Sequence, residues 1–367
     1  MLDGSHRIFC ESRLIFTTKK LLLQESLHMK KTLFFLLFSV VLLGQKIETI
    51  DLSKSIKDGK NSIKSFTVID QRAEQEVGMV MSHQDEVKIR FENEAGKDIK
   101  DWFYKYNTVR GNNDMVLLLE KLNISEDKKE KYSIGRLELK ASTFIKKEDG
   151  YHFMDRKDTI VTVSSRTTPY IGQNLARKTT LILTDLFKES YKATPWEISI
   201  AEIDLPNYTA VLKEKLSILK ADELKDGVYK DYYSFFTHNP EPGFILQTND
   251  KGIVTKAVKG EEKKAIRNFY AFVHNGMAFK NIPVGYTEIF KNENGVFIEV
   301  TKSDLFPEAS ASGVTIGAAA GGLVGGIIGA VIDVSLSNKK KSTLGPKVYL
   351  DPFTGNYILP EDFDKTK

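Results

Sequence analysis

Residues 137–163, LELKASTFIKKEDGYHFMDRKDTIVTV, contain the pattern that decides the fold of the first half of the chain. Apolar and polar residues alternate at its start, as in a half-buried β-strand. The positions on the buried face are Leu137, Leu139, Ala141 and Thr143. Glu148-Asp149-Gly150 is a turn signal, because glycine readily adopts the positive φ of tight turns. The stretch therefore predicts a hairpin, with a return strand over 151–154 and a further strand over 159–163.

The segments around this hairpin predict an α+β domain over residues 46–195, in which helices and sheet form an α/β sandwich. Short apolar runs predict strands at 65–69 and 115–122. Apolar residues at helical spacing predict helices over 85–106 and 175–191, the first weakened by Gly96. Residues 46–64 are polar, and we expect them to be a tether or an edge segment.

Residues 223–302 predict a second, β-rich module, which residues 196–222 connect to the first domain. Turn dipeptides divide this stretch at regular intervals. They are Asp226-Gly227, Asn239-Pro240, Asn275-Gly276 and Asn294-Gly295. Aromatic and β-branched residues lie between them, so the pattern predicts an antiparallel β-meander.

An apolar segment at residues 309–336 carries glycine at every fourth position and predicts a glycine-zipper helix. The row consists of Gly313, Gly317, Gly321, Gly325 and Gly329. Residues four apart share one helix face, where glycines let another helix pack closely. Each glycine costs a water-exposed helix about 1 kcal/mol, so we expect a transmembrane helix or self-association. The alternative is a buried or loosely ordered helix pair that covers the sheet. A C-terminal tail, 337–367, follows with one short predicted strand.

Residues 29–45, MKKTLFFLLFSVVLLGQ, predict an export signal. Two lysines precede an apolar run that is short for a membrane span, as in secretory signal peptides. Residues 1–28 do not fit such a signal, and we expect them to be a spurious N-terminal extension. Gln45 stands where a lipoprotein carries its lipidated cysteine, so no acyl anchor is expected there. The chain is therefore expected in the periplasm or associated with a membrane of the cell envelope.

Composition and motifs argue against several classes of function. The net charge of +4 arises from 53 basic and 49 acidic residues scattered along the chain, so no nucleic-acid partner is expected. The single cysteine, Cys10, precedes the export signal. The mature chain is thus expected to lack disulfides and thiolate metal sites. No HExxH, GxSxG or Walker pattern occurs, so we predict no catalytic residue, cofactor or metal.

Asp70 and Arg72 are the best polar candidates for a site. They follow the predicted strand at 65–69. A structural ion pair or turn cap at the end of the strand is one interpretation, and a contact with a partner protein is the other.

The same residues carry a resemblance to known envelope proteins. Val68-Ile69-Asp70-Gln71-Arg72, followed by Val77-Gly78, resembles the "D-x-R…G" signature of the YajG-like lipoproteins and the ABC-transport auxiliary lipoproteins. The order strand, long helix, strand, hairpin and helix is similar as well. Members usually carry the lipidated cysteine, in whose place this chain has Gln45.

The second half resembles a group of uncharacterised exported proteins of Gram-negative bacteria that also carry a C-terminal glycine zipper. The shared residues are Asp226-Gly227-Val228-Tyr229, Phe236, Asn239, Pro240, Pro242, Phe272-Val273-His274-Asn275-Gly276 and the run from Tyr349 to Gly355. This resemblance implies export and no particular activity.

These patterns together predict a non-enzymatic interaction or assembly protein of the cell envelope. Its partners would be the membrane, its own copies or other envelope proteins. A small-ligand binder or degenerate enzyme that uses the β-rich module is one alternative, and a pore-forming role of the zipper is another.

Overall fold

The structure, a computed structural model, describes residues 46–82, 85–307, 345–360 and 363. It is a mixed α+β fold, as the sequence predicted, and sheet predominates in it. The strands of its first sheet are β1 (Lys46–Thr49), β2 (Ile63–Asp70), β3 (Gly78–Ser82), β4 (Asp85–Arg90), β5 (Asn113–Lys128), β6 (Ser133–Lys147), β7 (Gly150–Ser164) and β8 (Ser199–Ile200). Their order is β1-β4-β3-β5-β6-β7-β8, and β2 also pairs with β5.

The predicted hairpin is confirmed as the pair β6 and β7, which runs antiparallel from Lys147 and Gly150 at the turn. Gly150 has a φ of +133°, and a Cβ there would lie 2.5 Å from the carbonyl oxygen of Ile200, so glycine is required. The prediction of two separate return strands is wrong, because β7 is continuous. A register shift between Thr143 and Phe144 interrupts the ladder at one point, and the polar residues 155–158 pair with β6 beside it.

Two helices cover one face of this sheet: α1 (Ala95–Tyr106) and α2 (Ile171–Ser190). The second confirms the helix predicted at 175–191. The helix predicted over 85–106 is wrong in its first part, because residues 85–90 form β4. These residues also alternate with a period of two, and pairing with β3 stabilises the strand. Gly96 lies in the first turn of α1 and does not break it.

Residues 50–62 are bound to both helices, so the tether prediction is wrong for them. Trp102 Nε1 donates to the carbonyl oxygen of Lys54 at 2.7 Å. The Tyr191 hydroxyl donates to that of Ile56 at 2.9 Å, and Ile56 itself is buried. Side chains of α1 and of the residue that follows α2 thus supply hydrogen bonds that the polar sequence could not reveal. The alternative, an edge segment, is present as β1.

The second half of the chain contributes a small sheet, a larger sheet and short helices. The small sheet consists of β10 (Ile245–Thr248), β11 (Val254–Lys259) and β12 (Glu262–Ala265). The larger sheet consists of β9 (Gly227–Tyr229), β13 (Ala271–His274), β14 (Met277–Ile282), β15 (Gly285–Asn292), β16 (Gly295–Glu299), β17 (Lys347–Leu350) and β18 (Tyr357–Ile358). The helices are a 3₁₀ turn (Glu202–Asn207), α3 (Tyr208–Glu214), α4 (Ser217–Lys220), α5 (Tyr232–Phe236), a 3₁₀ turn (Ile266–Asn268) and α6 (Lys302–Leu305).

The predicted antiparallel meander is present as β13 to β16. Asn275 and Gly276 both have positive φ, as a tight hairpin turn needs. The C-terminal tail extends the same sheet, because β17 pairs with β16 and β18 with β17. The strand predicted in the tail therefore belongs to the sheet of the preceding module.

One hydrophobic cluster joins residues from both halves of the chain. Leu118 and Phe153 of the first sheet belong to the same cluster as Tyr229 and Phe353 of the second half. From Glu48 onward the described residues form one compact unit. The boundaries predicted at 46–195, 196–222 and 223–302 stay predictions.

Among the described residues, no helix combines the length and apolar character that a membrane span requires. The predicted zipper at 309–336 lies outside the described residues, with Gly313, Gly317, Gly321, Gly325 and Gly329. The predicted extension at 1–28 and export signal at 29–45 lie outside them as well.

Candidate functional site

Asp70 and Arg72 form a two-pronged ion pair at the end of β2. Arg72 Nε donates to Asp70 Oδ1 at 2.9 Å, and its Nη2 donates to Oδ2 at 2.7 Å. The Arg72 side chain is 3% exposed and the Asp70 side chain 18%. Arg72 Nη1 also donates to the carbonyl oxygen of Gln75 at 3.1 Å. The pair therefore ties together the loop at 71–77, which confirms the structural interpretation and leaves a partner contact as a prediction.

This loop connects β2 and β3, which pair with successive parts of the same strand, β5. β2 runs parallel to the first part of β5, and β3 resumes at Gly78 beside Ile124. A Cβ on Gly78 would lie 1.9 Å from the carbonyl oxygen of Ile124. The "D-x-R…G" residues thus have a physical explanation: the ion pair closes the loop, and the glycine lets β3 approach β5.

The edge of β2 that faces away from β5 is closed at one position by a helix side chain. The Tyr104 hydroxyl accepts a hydrogen bond from the Phe66 N–H at 3.0 Å and donates to the Phe66 carbonyl oxygen at 3.2 Å. The Gln71 N–H, in contrast, bonds to Leu119 on β5. Because backbone groups alternate between the two edges of a strand, Val68 presents its N–H and C=O on the same side as Phe66.

A cleft of about 590 Å³ opens where Tyr104 no longer covers this edge. It lies between β2, the loop at 71–77 and the first turns of α1. The lining residues are Thr67, Val68, Asp70, Gln75, Glu94, Gly96, Lys97, Lys100 and Asp101. Gly96 leaves the cleft wide, since a Cβ there would meet only Val68 Cγ1, at 3.8 Å.

The charges around the cleft are mixed and mostly exposed. Lys97 and Asp101 form an ion pair of 2.8 Å, with 59% and 63% of their side chains exposed. The hydrogen bond to Asp101 raises the pKa of Lys97. Within the described part of the chain, no three His, Cys, Asp or Glu side chains are placed to hold a metal ion. The cleft thus combines backbone groups of Val68 with charged side chains at its rim.

Sequence reasoning selected Asp70 and Arg72, which the structure brings together. It missed Tyr104, Gln75 and Gly96. Gly96 gave a signal that we interpreted as a weak point of a helix, although its position leaves space in the cleft. Nothing in the sequence indicates that the Tyr104 hydroxyl meets the edge of a strand, because this contact depends on how α1 packs.

Comparison with protein families, with characterised proteins and with solved structures found no match to this chain. The resemblances to envelope lipoproteins and to exported proteins with a glycine zipper therefore stay predictions.

Proposed function

We propose that this chain is an exported, non-enzymatic interaction protein of the cell envelope that binds an extended segment of a partner along β2. The observation that carries the proposal is that, among the described residues, no strand pairs with the outer edge of β2 at Val68, which lines a cleft of about 590 Å³. An unpaired strand edge is a template for the backbone of another chain. Addition of a peptide as a further strand is a recurrent mode of recognition.

The surroundings of Val68 suit this role because they are held in place before a partner binds. The Arg72–Asp70 pair fixes the loop at one end of the edge. Tyr104 fixes α1 against β2 at the other end. A pre-ordered site loses less conformational freedom on binding. The exposed Lys97 and Lys100 can contact acidic side chains of the added strand.

Export and zipper association complete the proposal and rest on the sequence. The signal at 29–45 would deliver the chain to the envelope, and the segment at 309–336 would associate with a membrane or with further copies. Fractionation of cells that make the natural chain or a variant without residues 313–332 tests this part. A membrane-associated natural chain and a soluble variant would support it, whereas two soluble proteins would contradict it.

Peptide binding is tested by selecting linear peptides from a display library on the purified full chain. Gly96→Phe should fill the cleft, because Gly96 has no positive φ and a Cβ there would meet only Val68 Cγ1, at 3.8 Å. Gly59→Phe is the matched control, since a Cβ at Gly59 meets nothing within 4 Å. We expect selected peptides to bind the natural chain and Gly59→Phe alike, and Gly96→Phe at least tenfold more weakly.

Hydrogen exchange locates the contact. Addition of a selected peptide should slow exchange of the Val68 amide, because the added strand would accept its hydrogen bond. Equal binding to all three proteins, or protection elsewhere without protection at Val68, would contradict the proposed site.

A further inference from the structure

The small sheet has one face on the core and one face toward solvent. On the inner face, Ala257 is fully buried, and Phe244 and Leu246 pack on the same cluster. β10, β11 and β12 pair antiparallel in this sheet. Because side chains alternate between the faces of a strand, the neighbours of these residues point outward.

The strand register places two cross-strand rows on the outer face. One row is Ile245, Val258 and Lys263, and the other is Gln247, Lys256 and Ala265. Ile245 is 72% exposed. Neither row contains a carboxylate, whereas Glu262 lies in an adjacent row and forms an ion pair with Lys264. The outer face therefore combines an exposed apolar centre with two lysines, Lys256 and Lys263, that form no ion pair within the part of the chain that the structure describes.

We infer that this outer face docks on an anionic phospholipid surface. Ile245 and Val258 would enter the headgroup region. Their transfer out of water lowers the free energy, because both side chains are apolar. Lys256 and Lys263 would contact lipid phosphates, and each lysine near an anionic bilayer strengthens binding about fivefold. The face has an apolar centre flanked by lysines. It is therefore complementary to an anionic bilayer, whose surface is negatively charged and whose interior is apolar. This inference is independent of the peptide cleft and of the predicted zipper.

Binding is measured by flotation of the full chain with vesicles of phosphatidylcholine alone or mixed with phosphatidylglycerol. The test variants are Lys256→Glu with Lys263→Glu, and Ile245→Ser. The matched controls are Lys213→Glu with Lys220→Glu, and Ile203→Ser, because Ile203 is 87% exposed on a different element. We expect the test variants to bind anionic vesicles at least tenfold more weakly, and the controls to bind like the natural chain.

A tryptophan at the centre of the face separates this contact from binding through another part of the chain. Trp102 and Trp196 are buried, with exposures of 3% and 2%, so Ile245→Trp adds an exposed reporter. Its emission should shift to shorter wavelength with anionic vesicles, and the shift should weaken in high salt. Flotation without this shift would overturn the inference, as would an equal shift with neutral vesicles. Failure to bind either vesicle, as expected for a face that recognises an acidic protein, would overturn it too.

Discussion

The Tyr104 hydroxyl lies 3.0 Å from the backbone nitrogen of Phe66 and 3.2 Å from its carbonyl oxygen. A single side chain of α1 thus serves both edge groups of one β2 residue. Tyr104 therefore satisfies the backbone N–H and C=O of Phe66, as a neighbouring strand would. The cleft lies next to this contact along β2. The position of the Tyr104 hydroxyl therefore determines how much of the outer edge of β2 is left uncovered.

Tyr104→Phe removes this hydroxyl and leaves the ring in place. Phe66 is 1% exposed, so its N–H and C=O would lose partners that water cannot easily replace. We expect the free energy of unfolding to fall by about 1–3 kcal/mol. Urea unfolding measures the change. Tyr132→Phe is a suitable control, since the Tyr132 ring stacks under Arg166 and phenylalanine keeps that contact. An equal loss in both variants would contradict the bridging role.

Arg72→Ala should destabilise the chain by about 3–5 kcal/mol, because it leaves Asp70 without its buried partner. Arg72→Lys should recover only part of this loss, since lysine cannot make the two parallel bonds that the guanidinium makes. Lys97→Ala breaks an exposed ion pair and should cost at most about 1 kcal/mol. Thermal and urea unfolding of the three variants check this order. A lysine that restores full stability would show that charge alone matters at Arg72.

The parts of the fold that sequence predicted are those in which local patterns are strong. The alternation at Leu137 to Thr143, the turn at Gly150 and the hairpin at Asn275-Gly276 all express local backbone preferences. The strand at 85–90 was missed because Val87 and Phe91 also fit the helical spacing. Pairing with the preceding strand β3 decides for the period of two that Val87 and Ile89 show. The continuity of β7 was missed because its polar residues are stabilised by distant partners, as in the ion pair of Lys157 with Asp185.

The candidate site was predictable only in part for the same reason. Asp70 and Arg72 are two residues apart, so their pairing is a local property. The cleft depends on α1 lying across β2, which places Gly96 opposite Val68. Such packing follows from the whole hydrophobic cluster and leaves no short signature in the sequence.

Lys280→Met should stabilise the chain at neutral pH. Lys280 is 8% exposed, and its Nζ lies 4.0 Å from the centre of the Tyr270 ring. Burial lowers the pKa of Lys280 from 10.5 to about 8. The folded state therefore binds its proton less well than the unfolded state, and stability rises with pH between about 8 and 10.5. Methionine removes the cost of burying the charge but loses the contact with Tyr270, so we expect a net gain of about 1–2 kcal/mol at pH 7.

Urea unfolding at several pH values checks this prediction. The difference between Lys280→Met and the natural chain should shrink as the pH approaches 10.5, because the natural chain then no longer buries a charge. Lys263→Met, at an exposed position, is the control and should show no such trend. A difference that stays constant with pH would mean that packing, and not charge burial, explains the effect.

Phe353→Ala tests whether the C-terminal tail closes the core shared by both halves of the chain. Phe353 is 1% exposed, its ring stacks on Trp196 at 5.9 Å, and it meets Phe153 edge-on at 5.8 Å. Removal of a buried aromatic ring costs about 3–5 kcal/mol. Ile358→Ala, in the same tail but 54% exposed, should change stability by less than about 1 kcal/mol. Thermal unfolding followed by tryptophan fluorescence measures both. If the tail did not contribute to the core, both variants would unfold at the same temperature as the natural chain. A large loss of stability that is confined to Phe353→Ala would show that residues far apart in sequence complete one core.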